Sequence, residues 1–234
     1  MKFIKFKNYK NRLAYYFKSF YKKNFRKFNG LKNVDEKMLQ YLNFNNGYFI
    51  EIGAHDGIKN SNTLFYEKNK NWHGLLVEPS RYFRFLIKNR SKRNKFFNCG
   101  CTKFNHMAQT NLKGSGDFSI CVDLVDKKFY ERSLQKQSIS KLNITTNKIK
   151  LRTLNSILLE AKSPDLVDFF SLDVEGMELN VLKGVDFNRF NFRYLLVECT
   201  NPQRKKMIND FLEKKNYQYI DNLTPWDVLF KYQK

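Results

Sequence analysis

The stretch from Tyr48 to Gly57 constrains the fold more than any other part of the chain, because its character changes within ten residues. Its first half, residues 48–52, is aromatic and β-branched with a single carboxylate, and predicts a short buried strand of a parallel sheet. Gly53 and Gly57 then stand four residues apart, and cap-forming residues follow over 60–63. The sequence therefore predicts a tight turn from a strand into a helix, where backbone N–H groups can approach a ligand.

Length and charge limit the classes of protein that this chain can belong to. A chain of 234 residues with 42% apolar content has enough material for one α/β domain with additions. The formal charge of +21 favours a polyanionic partner, either nucleic acid or an anionic membrane surface. The alternative is that part of this charge simply lies on a solvated surface.

The chain has four cysteines, Cys99, Cys101, Cys121 and Cys199, with no CxxC pair and no framework spacing. This usage favours a reducing compartment, so a cytoplasmic protein is expected. Cys99 and Cys101 share one face of a predicted strand, and buried packing is their expected role. With only three histidines in the chain, no metal site is predicted. The sequence has no apolar run of about 18 residues that could span a membrane, and no h-region of a signal peptide.

Residues 1–33 form a predicted basic arm, with nine Lys, two Arg and no acid among many aromatic residues. Such a mixture can lie peripherally on an anionic membrane or stack on single-stranded nucleic acid. A basic extension whose aromatic side chains pack on the domain is the alternative. Residues 34–234 are predicted to form one domain, with an insertion at about 103–150 where the periodicity weakens and where such folds usually gain substrate contacts.

Other local patterns predict single elements. Asp35 can cap a helix whose apolar positions are Val34, Met38 and Leu42. Residues 81–90 are predicted to form a helix that is basic on its outer face, and residues 96–101 a single strand. Pro202 opens a predicted helix whose inward-facing residues are Met207, Ile208, Phe211 and Leu212.

Several predicted strands end in acidic residues. Glu78 ends an apolar strand 25 residues after Gly53, a position from which its carboxylate could accept both hydroxyls of a ribose. Asp173 and Glu175 follow a buried-type strand, and Glu198 ends the next one. Ligands of open α/β sheets bind at the carboxyl ends of the strands. These acids therefore form a candidate site, although a surface role for Glu78 and a helix cap at Glu175 remain alternatives.

The glycine turn is compatible with three kinds of nucleotide ligand. A phosphate loop would need Gly-x-x-x-x-Gly-Lys-Ser/Thr, which is absent. A dinucleotide fingerprint needs three glycines, where this chain has Gly53, His55 and Ile58. The remaining pattern, an acid two residues before the first glycine and a second glycine four later, resembles motif I of Rossmann-like methyltransferases that use S-adenosylmethionine. His55 stands where glycine is common, and His tolerates a positive φ better than a β-branched residue does.

Four sequence blocks, in order between about Asn46 and Tyr219, together resemble the FkbM family of methyltransferases. They are Ile50–Gly57 with Ser61–Thr63, Gly74–Pro79, Ser171–Leu179 and Val181–Gly184. The resemblance implies an α/β protein with a Rossmann-like class I methyltransferase fold, a mostly parallel seven-stranded sheet with an antiparallel C-terminal strand. It also implies O-methylation of a hydroxyl on a sugar, glycan or related small natural product. The chain departs from the family at Asn155, where Asp is common, and in its basic arm.

The resemblance and the residue chemistry together give a candidate site for S-adenosylmethionine. The turn would hold the amino acid end of the cofactor and Glu78 its ribose, while Asp173 could bind the cofactor's amino group or act as a base. The candidate cofactor-binding residues are Glu51, Gly53, Ala54, His55, Gly57, Ser61, Asn62, Glu78 and Asp173. The first candidates for a general base are Asp173 and Glu175, followed by Glu198 and His106.

Two other functions remain open at this stage. The first is a methyltransferase of RNA or another nucleic acid that uses the basic arm. Base methylases commonly carry an Asn/Asp-Pro-Pro-aromatic block after the fourth strand, where this chain has Asp173-Val174-Glu175-Gly176, so ribose methylation is the form left open. The second is a non-catalytic binding module with the same fold.

Overall fold

A computed structural model of the protein describes residues 26–104, 109–115, 118–125 and 144–234, together with Ala14, Tyr21, Tyr130, Glu131 and Gln135. Most of the predicted arm and much of the predicted insertion lie outside the described residues. The strands in chain order are β1 Tyr48–Ile52, β2 His73–Val77, β3 Lys95–Phe97, β4 Gly100–Thr102, β5 Gln109–Ser115, β6 Phe118–Cys121, β7 Thr145–Thr153, β8 Leu166–Leu172, β9 Asn191–Glu198, β10 Tyr217–Asn222 and β11 Asp227–Tyr232.

The large sheet has seven strands in the spatial order β3-β2-β1-β8-β9-β11-β10. The pairs β1–β2, β2–β3, β1–β8 and β8–β9 are parallel, and β11 is antiparallel to both of its neighbours. The predicted class I methyltransferase fold is therefore confirmed. Ile52 lies opposite Val77 on one side and Leu172 on the other. This register brings the carboxyl ends of β1, β2 and β8 to the same edge of the sheet.

Helices cover the sheet and connect its parallel strands. They are Val34–Lys37, Leu64–Asn69, Phe83–Asn89, Leu154–Ala161, Glu178–Lys183 and Pro202–Glu213, with 3-10 segments at Leu31–Asn33 and Met38–Gln40. Caps fix two of these helices, because Thr153 accepts the Ser156 N–H and Asn201 accepts the Arg204 N–H. The predicted cap at Asp35 is wrong: its carboxylate is buried and accepts the Asn29 N–H at 2.7 Å.

Two large apolar clusters are built mainly from residues of the large sheet and the helices that cover it, and a third, smaller cluster in the small sheet contains Leu112, Ile149 and Leu151. The predicted apolar positions Val34, Met38 and Leu42 are all buried in one cluster. In the helix Pro202–Glu213, Leu212 is buried as expected, but Met207 is 48% exposed. The apolar stripe of that helix is therefore narrower than the sequence pattern indicated.

The single strand predicted over residues 96–101 is in fact two strands that belong to different sheets. β3 pairs with β2 in the large sheet, whereas β4 pairs with β7 in a four-stranded sheet of order β4-β7-β5-β6. The chain leaves the large sheet at Asn98, whose side-chain amide donates to the carbonyl of Glu78 at 2.7 Å. The predicted insertion thus contributes β5, β6 and most of β7 to a small sheet beside the carboxyl edge of the large one.

The last part of the predicted arm contacts the domain. The ring of Phe28 packs on that of Phe65 at 4.8 Å between centroids, and Gly30 forms an isolated parallel bridge with Asn60. Within the part of the chain that the structure describes, no helix is long and apolar enough to cross a membrane.

Candidate active site

A cleft lies at the carboxyl edge of the large sheet, between β1 and β8. At this point the chain switches direction, since β2 and β3 lie on one side of β1 while β8 and β9 lie on the other. Ligands of open α/β sheets bind at such switch points. The space between atoms in the cleft is about 700 Å³ up to its open mouth. Its walls come from Ile52, Gly53, His55, Glu78, Pro79, Ser80, Cys99, Gly100, Cys101, Asp173, Val174, Glu175 and Met177, with Leu112, Ser119 and Cys121 from the small sheet.

The glycine turn after β1 depends on the close approach of the next strand. Gly53 has φ +86°, and a Cβ at this position would lie 1.9 Å from the carbonyl oxygen of Asp173. The N–H groups of Gly53 and Ala54 both donate to the carbonyl of Val77, at 3.0 and 3.1 Å. The lack of a side chain at Gly53 therefore allows the end of β8 to approach the turn, and does not serve only to make room for a ligand. Gly53 still forms part of the cleft wall.

His55 occupies the middle of this turn and has the positive φ that the sequence analysis considered, at +49°. Its ring stacks on the ring of Tyr82, with centroids 3.9 Å apart and planes inclined by 28°. Its Nδ1 lies 3.5 Å from Oδ1 of Asp56. Since His55 also lines the cleft, the stack fixes one wall of the site.

Glu78 is buried at the end of β2 and is tied to the turn. One carboxylate oxygen accepts the His55 N–H and the other accepts the Ser80 N–H, each at 2.8 Å. A carboxylate has about four acceptor positions, so each oxygen keeps capacity for another donor. Glu78 lines the cleft, and its predicted contact to ribose hydroxyls stays a prediction.

Glu51 lies beneath the turn and does not line the cleft. Its carboxylate accepts hydrogen bonds from the hydroxyls of Ser61 and Thr63 and from the Asn62 N–H, at 2.6–2.9 Å. An ion pair of 3.1 Å joins it to Arg90. The observed contacts give Glu51, Ser61 and Asn62 the role of holding the loop before the helix Leu64–Asn69. Ala54 and Gly57, the remaining predicted cofactor residues, are also absent from the cleft wall.

Sequence reasoning missed Arg90, which it placed on the basic outer face of its helix. The side chain is fully buried and binds two carboxylates, those of Glu51 at 3.1 Å and Glu67 at 2.9 Å. It also donates to the hydroxyl of Thr63 at 2.9 Å and lies over the ring of Phe49. No local pattern marks this residue, because its partners are brought to it only by the fold.

Asp173 and Glu198 lie at the ends of the neighbouring strands β8 and β9, and each carboxyl group influences the pKa of the other. Asp173 is exposed to the cleft, yet the surrounding protein removes much of its hydration, which raises its pKa to about 7. The carboxylates of Glu178 and Asp227 act in the same direction. Burial and the charge of Asp173 also raise the pKa of Glu198, to about 11. Glu198 therefore holds a proton at neutral pH, and Asp173 is the member of the pair that titrates there.

Glu175 and His106 are the other two predicted bases, and only Glu175 is among the described residues. Glu175 lines the cleft and has φ +51°, in the turn that follows β8. The cap role is instead taken by Glu178, whose carboxylate accepts the N–H groups of Val174 and Gly176. His106 lies outside the described residues. Among the described residues, no cluster of three or more His, Cys, Asp or Glu side chains is placed to hold a metal ion.

A second, smaller groove continues from the cleft and shares Ser80, Leu112 and Ser119 with it. Its space is about 260 Å³ up to the open mouth. We call it the polar groove, because its lining supplies hydroxyl, amide, guanidinium and phenol groups from Ser80, Arg81, Tyr82, Ser119, Thr145 and Asn147. Sequence reasoning placed substrate contacts in the insertion, and the small sheet provides one wall of this groove.

The family model of the Methyltransferase FkbM domain matches residues 51–219. No curated protein matches the chain by sequence. Among solved structures, the human methyltransferase 10 domain containing protein is 11% identical with a TM-score of 0.45, over 96% of this chain and 97% of that one. The precorrin-6y C5,15-methyltransferase of Geobacter metallireducens is 11% identical with a TM-score of 0.43, over 88% and 95%. The N-terminal domain of human METTL16 is 11% identical with a TM-score of 0.42, over 85% and 66%.

Proposed function

Because the chain belongs to the FkbM methyltransferase family, we propose that it is an S-adenosylmethionine-dependent O-methyltransferase that acts on a hydroxyl of a sugar, glycan or related small natural product. One observation carries this proposal: the acid-lined cleft opens into the polar groove. The cleft suits a cationic cofactor, and the groove suits an uncharged acceptor rich in hydroxyl groups.

The residues of the cleft fit S-adenosylmethionine in charge and in hydrogen-bonding capacity. Glu78, held by two backbone N–H groups, has acceptor positions left for ribose hydroxyls. Asp173 and Glu175 add acidic groups to the same cleft, and the pKa of Asp173 is raised first by loss of hydration and then by repulsion from other carboxylates. A positively charged ligand would relieve this repulsion. When bound, S-adenosylmethionine supplies a methyl group on a positively charged sulfur.

We assign the role of general base to Asp173. A base with a pKa close to the working pH combines a useful fraction of carboxylate with proton affinity, and Asp173 meets this condition while facing the cleft. A carboxylate oxygen of Asp173 would accept the acceptor's hydroxyl proton as the new bond forms. Glu198, which keeps its own proton, would orient the Asp173 carboxylate by donating a hydrogen bond to it.

The polar groove supports an uncharged, hydroxyl-rich acceptor. Ser119, Thr145 and Asn147 can each donate and accept hydrogen bonds, as a polyol requires. Tyr82 adds an aromatic ring that its stack with His55 holds in place. Arg81 is the one cationic side chain among the described residues that line the groove, so the groove is poor in phosphate-binding groups.

A methyl-transfer assay tests this proposal. The full chain would be incubated with S-adenosylmethionine labelled in its methyl group and with a panel of neutral methyl glycosides. We expect label on a sugar hydroxyl, and Asp173→Asn should lower the rate at saturating acceptor at least about 100-fold. Asp165→Asn, an exposed acid before β8, is the matched control and should keep the rate. Transfer by Asp173→Asn at the unchanged rate would contradict the assignment of the base.

The net charge of +21 favours a second candidate, ribose methylation of RNA. In that case residues 1–33 would bind the polyanion, and RNA binding would weaken steeply with salt. Deleting residues 1–33 would then abolish RNA binding. Label that appears on RNA ribose and never on the glycosides would favour this candidate over the first. Cofactor binding without transfer to any acceptor in a cell extract would instead indicate a non-catalytic binding module.

We also propose that residues 1–33 associate peripherally with anionic membranes, on the strength of their mixture of cations and aromatic residues. Sedimentation with vesicles that contain anionic lipid measures this association. The full chain should sediment with such vesicles and not with neutral ones. If the protein that lacks residues 1–33 sediments equally well, the arm has no such role.

A further inference from the structure

Three of the four cysteines converge on one wall of the cleft, although they are dispersed in the sequence. Cys99 and Cys101 flank Gly100, and Cys121 ends β6 of the small sheet. All three line the cleft. The position of a Cβ on Gly100 would be 3.8 Å from the Sγ of Cys121, an ordinary van der Waals distance, so the third thiol lies beside Gly100. Cys199 is buried and does not line the cleft.

Cys99 and Cys101 stand on either side of Gly100, and both line the same wall of the cleft. Each thiol is the largest influence on the pKa of the other, as expected of two neighbouring sulfur atoms. The bend between β3 and β4 lies at this point, so the backbone is not held in a regular strand at Cys99. Cys101 lies opposite Arg152 in the register of β4 and β7.

The surroundings make the two thiols chemically different. The neighbouring thiol of Cys101 lowers the pKa of Cys99, and the positive charge of Arg152 contributes in the same direction. The pKa of Cys101 is raised by the thiol of Cys99 and by burial. Cys99 is thus the nucleophilic member, and Cys101 is the protonated thiol beside it. Both residues are almost fully buried, and the cleft is their route to small reagents.

We propose that Cys99 and Cys101 form a site of reversible oxidation by hydroperoxides in the wall of the cleft. The Cys99 thiolate attacks one oxygen of hydrogen peroxide; an S–O bond forms, the O–O bond breaks and hydroxide leaves, to be protonated to water. The sulfur of Cys101 then attacks Cys99 Sγ; an S–S bond forms, the S–O bond breaks, and a second water leaves with the proton of Cys101. Two thiols are oxidised by two electrons, and one peroxide is reduced to two waters.

The site is built so that its oxidation changes the cleft. The disulfide draws together two side chains that line the wall, and it constrains the bend that joins the large sheet to the small one. A ligand bound in the cleft should therefore keep out a reagent that enters through the cleft, and the reagent should likewise keep out the ligand. This last point depends on the proposed cofactor, whereas the oxidation itself does not.

Peptide mapping of the full chain tests the site. Cleavage after Lys95 and Lys103 releases residues 96–103, which contain Cys99 and Cys101 and no other cysteine. After treatment with hydrogen peroxide and alkylation of the remaining thiols, we expect this peptide to have lost two hydrogen atoms and to resist alkylation. Dithiothreitol should restore it. Cys121→Ser and Cys199→Ser are matched controls that should give the same result, while Cys99→Ser should not form the bond.

Three results would overturn the proposal. One is a peptide 96–103 that stays reduced while Cys199 is oxidised. Another is a disulfide that joins this peptide to Cys121 instead. The third is oxidation of Cys99 directly to a product that dithiothreitol does not reverse. In a separate arm, S-adenosylmethionine at ten times its Kd should slow oxidation about tenfold, because about one cleft in ten is then empty. If the cofactor does not bind at all, the proposed function fails, but the mapping still decides the thiol site.

Discussion

Replacing Arg90 by methionine should cost a large part of the stability of the domain. The guanidinium is completely buried and forms ion pairs with Glu51 at 3.1 Å and Glu67 at 2.9 Å, whose side chains are themselves almost inaccessible. Methionine fills a similar volume but leaves both carboxylates buried without their cation. Removing one partner of a buried ion pair typically costs about 3–5 kcal/mol. We expect a loss within this range in the free energy of unfolding.

Urea unfolding followed by circular dichroism measures this loss. Arg93→Met is the matched control, because Arg93 is an exposed arginine nearby whose hydrogen bond to the Trp72 carbonyl is long, at 3.4 Å. The control should stay within about 0.5 kcal/mol of the unchanged protein. Arg90→Lys should fall between the two, since an ammonium keeps the charge but cannot reach both carboxylates with a planar fork. A loss below about 1 kcal/mol for Arg90→Met would refute the reasoning, because the carboxylates would then be hydrated or neutral.

Three further changes probe the cleft. Gly53→Ala should lower the free energy of unfolding by about 2–4 kcal/mol, because the added Cβ would lie 1.9 Å from the Asp173 carbonyl oxygen and φ at this position is +86°. An unchanged midpoint of urea unfolding would contradict this. Affinity for S-adenosylmethionine should fall as pH drops below about 7, by up to about tenfold per pH unit, because a cationic ligand prefers the ionised Asp173. Calorimetric Kd values that do not change between pH 6 and 8 would exclude this role of Asp173. Glu78→Gln should weaken cofactor binding by about 10- to 100-fold, since one oxygen that accepts the N–H of His55 or Ser80 becomes a donor, whereas the exposed Glu160→Gln should not.

The mostly parallel sheet, its antiparallel C-terminal strand and the edge that carries the site could be predicted from the sequence. Glu78 and Asp173 each follow a short run of buried-type residues, and the carboxyl ends of neighbouring parallel strands meet at one edge. Both acids line the observed cleft. Gly53 was also identified, but for an incomplete reason. Gly53 has to lack a Cβ because the carbonyl of Asp173 lies against it, and Asp173 is 120 positions away in the chain.

The partners of buried polar groups could not be predicted. Glu51 belongs to the same sequence block as Gly53, yet its side chain lies on the other side of the turn and binds Arg90. Arg90 has no local signal, because a basic residue at the end of a basic helix normally stays in water. The spacing of Cys99 and Cys101 put them on one face of a predicted strand, but Cys121 joins them at the cleft only through the pairing of the small sheet. In each case the contact joins segments that no periodic pattern relates.

Whether S-adenosylmethionine binds in the acid-lined cleft is decided by isothermal titration of the full chain with this cofactor at pH 8. We expect one site per chain for the unchanged protein. The site should be lost in Glu78→Ala, a variant whose circular dichroism spectrum should match that of the unchanged protein. Absence of heat at millimolar cofactor, or equal binding by Glu78→Ala, would contradict the assignment of this cleft to the methyl donor.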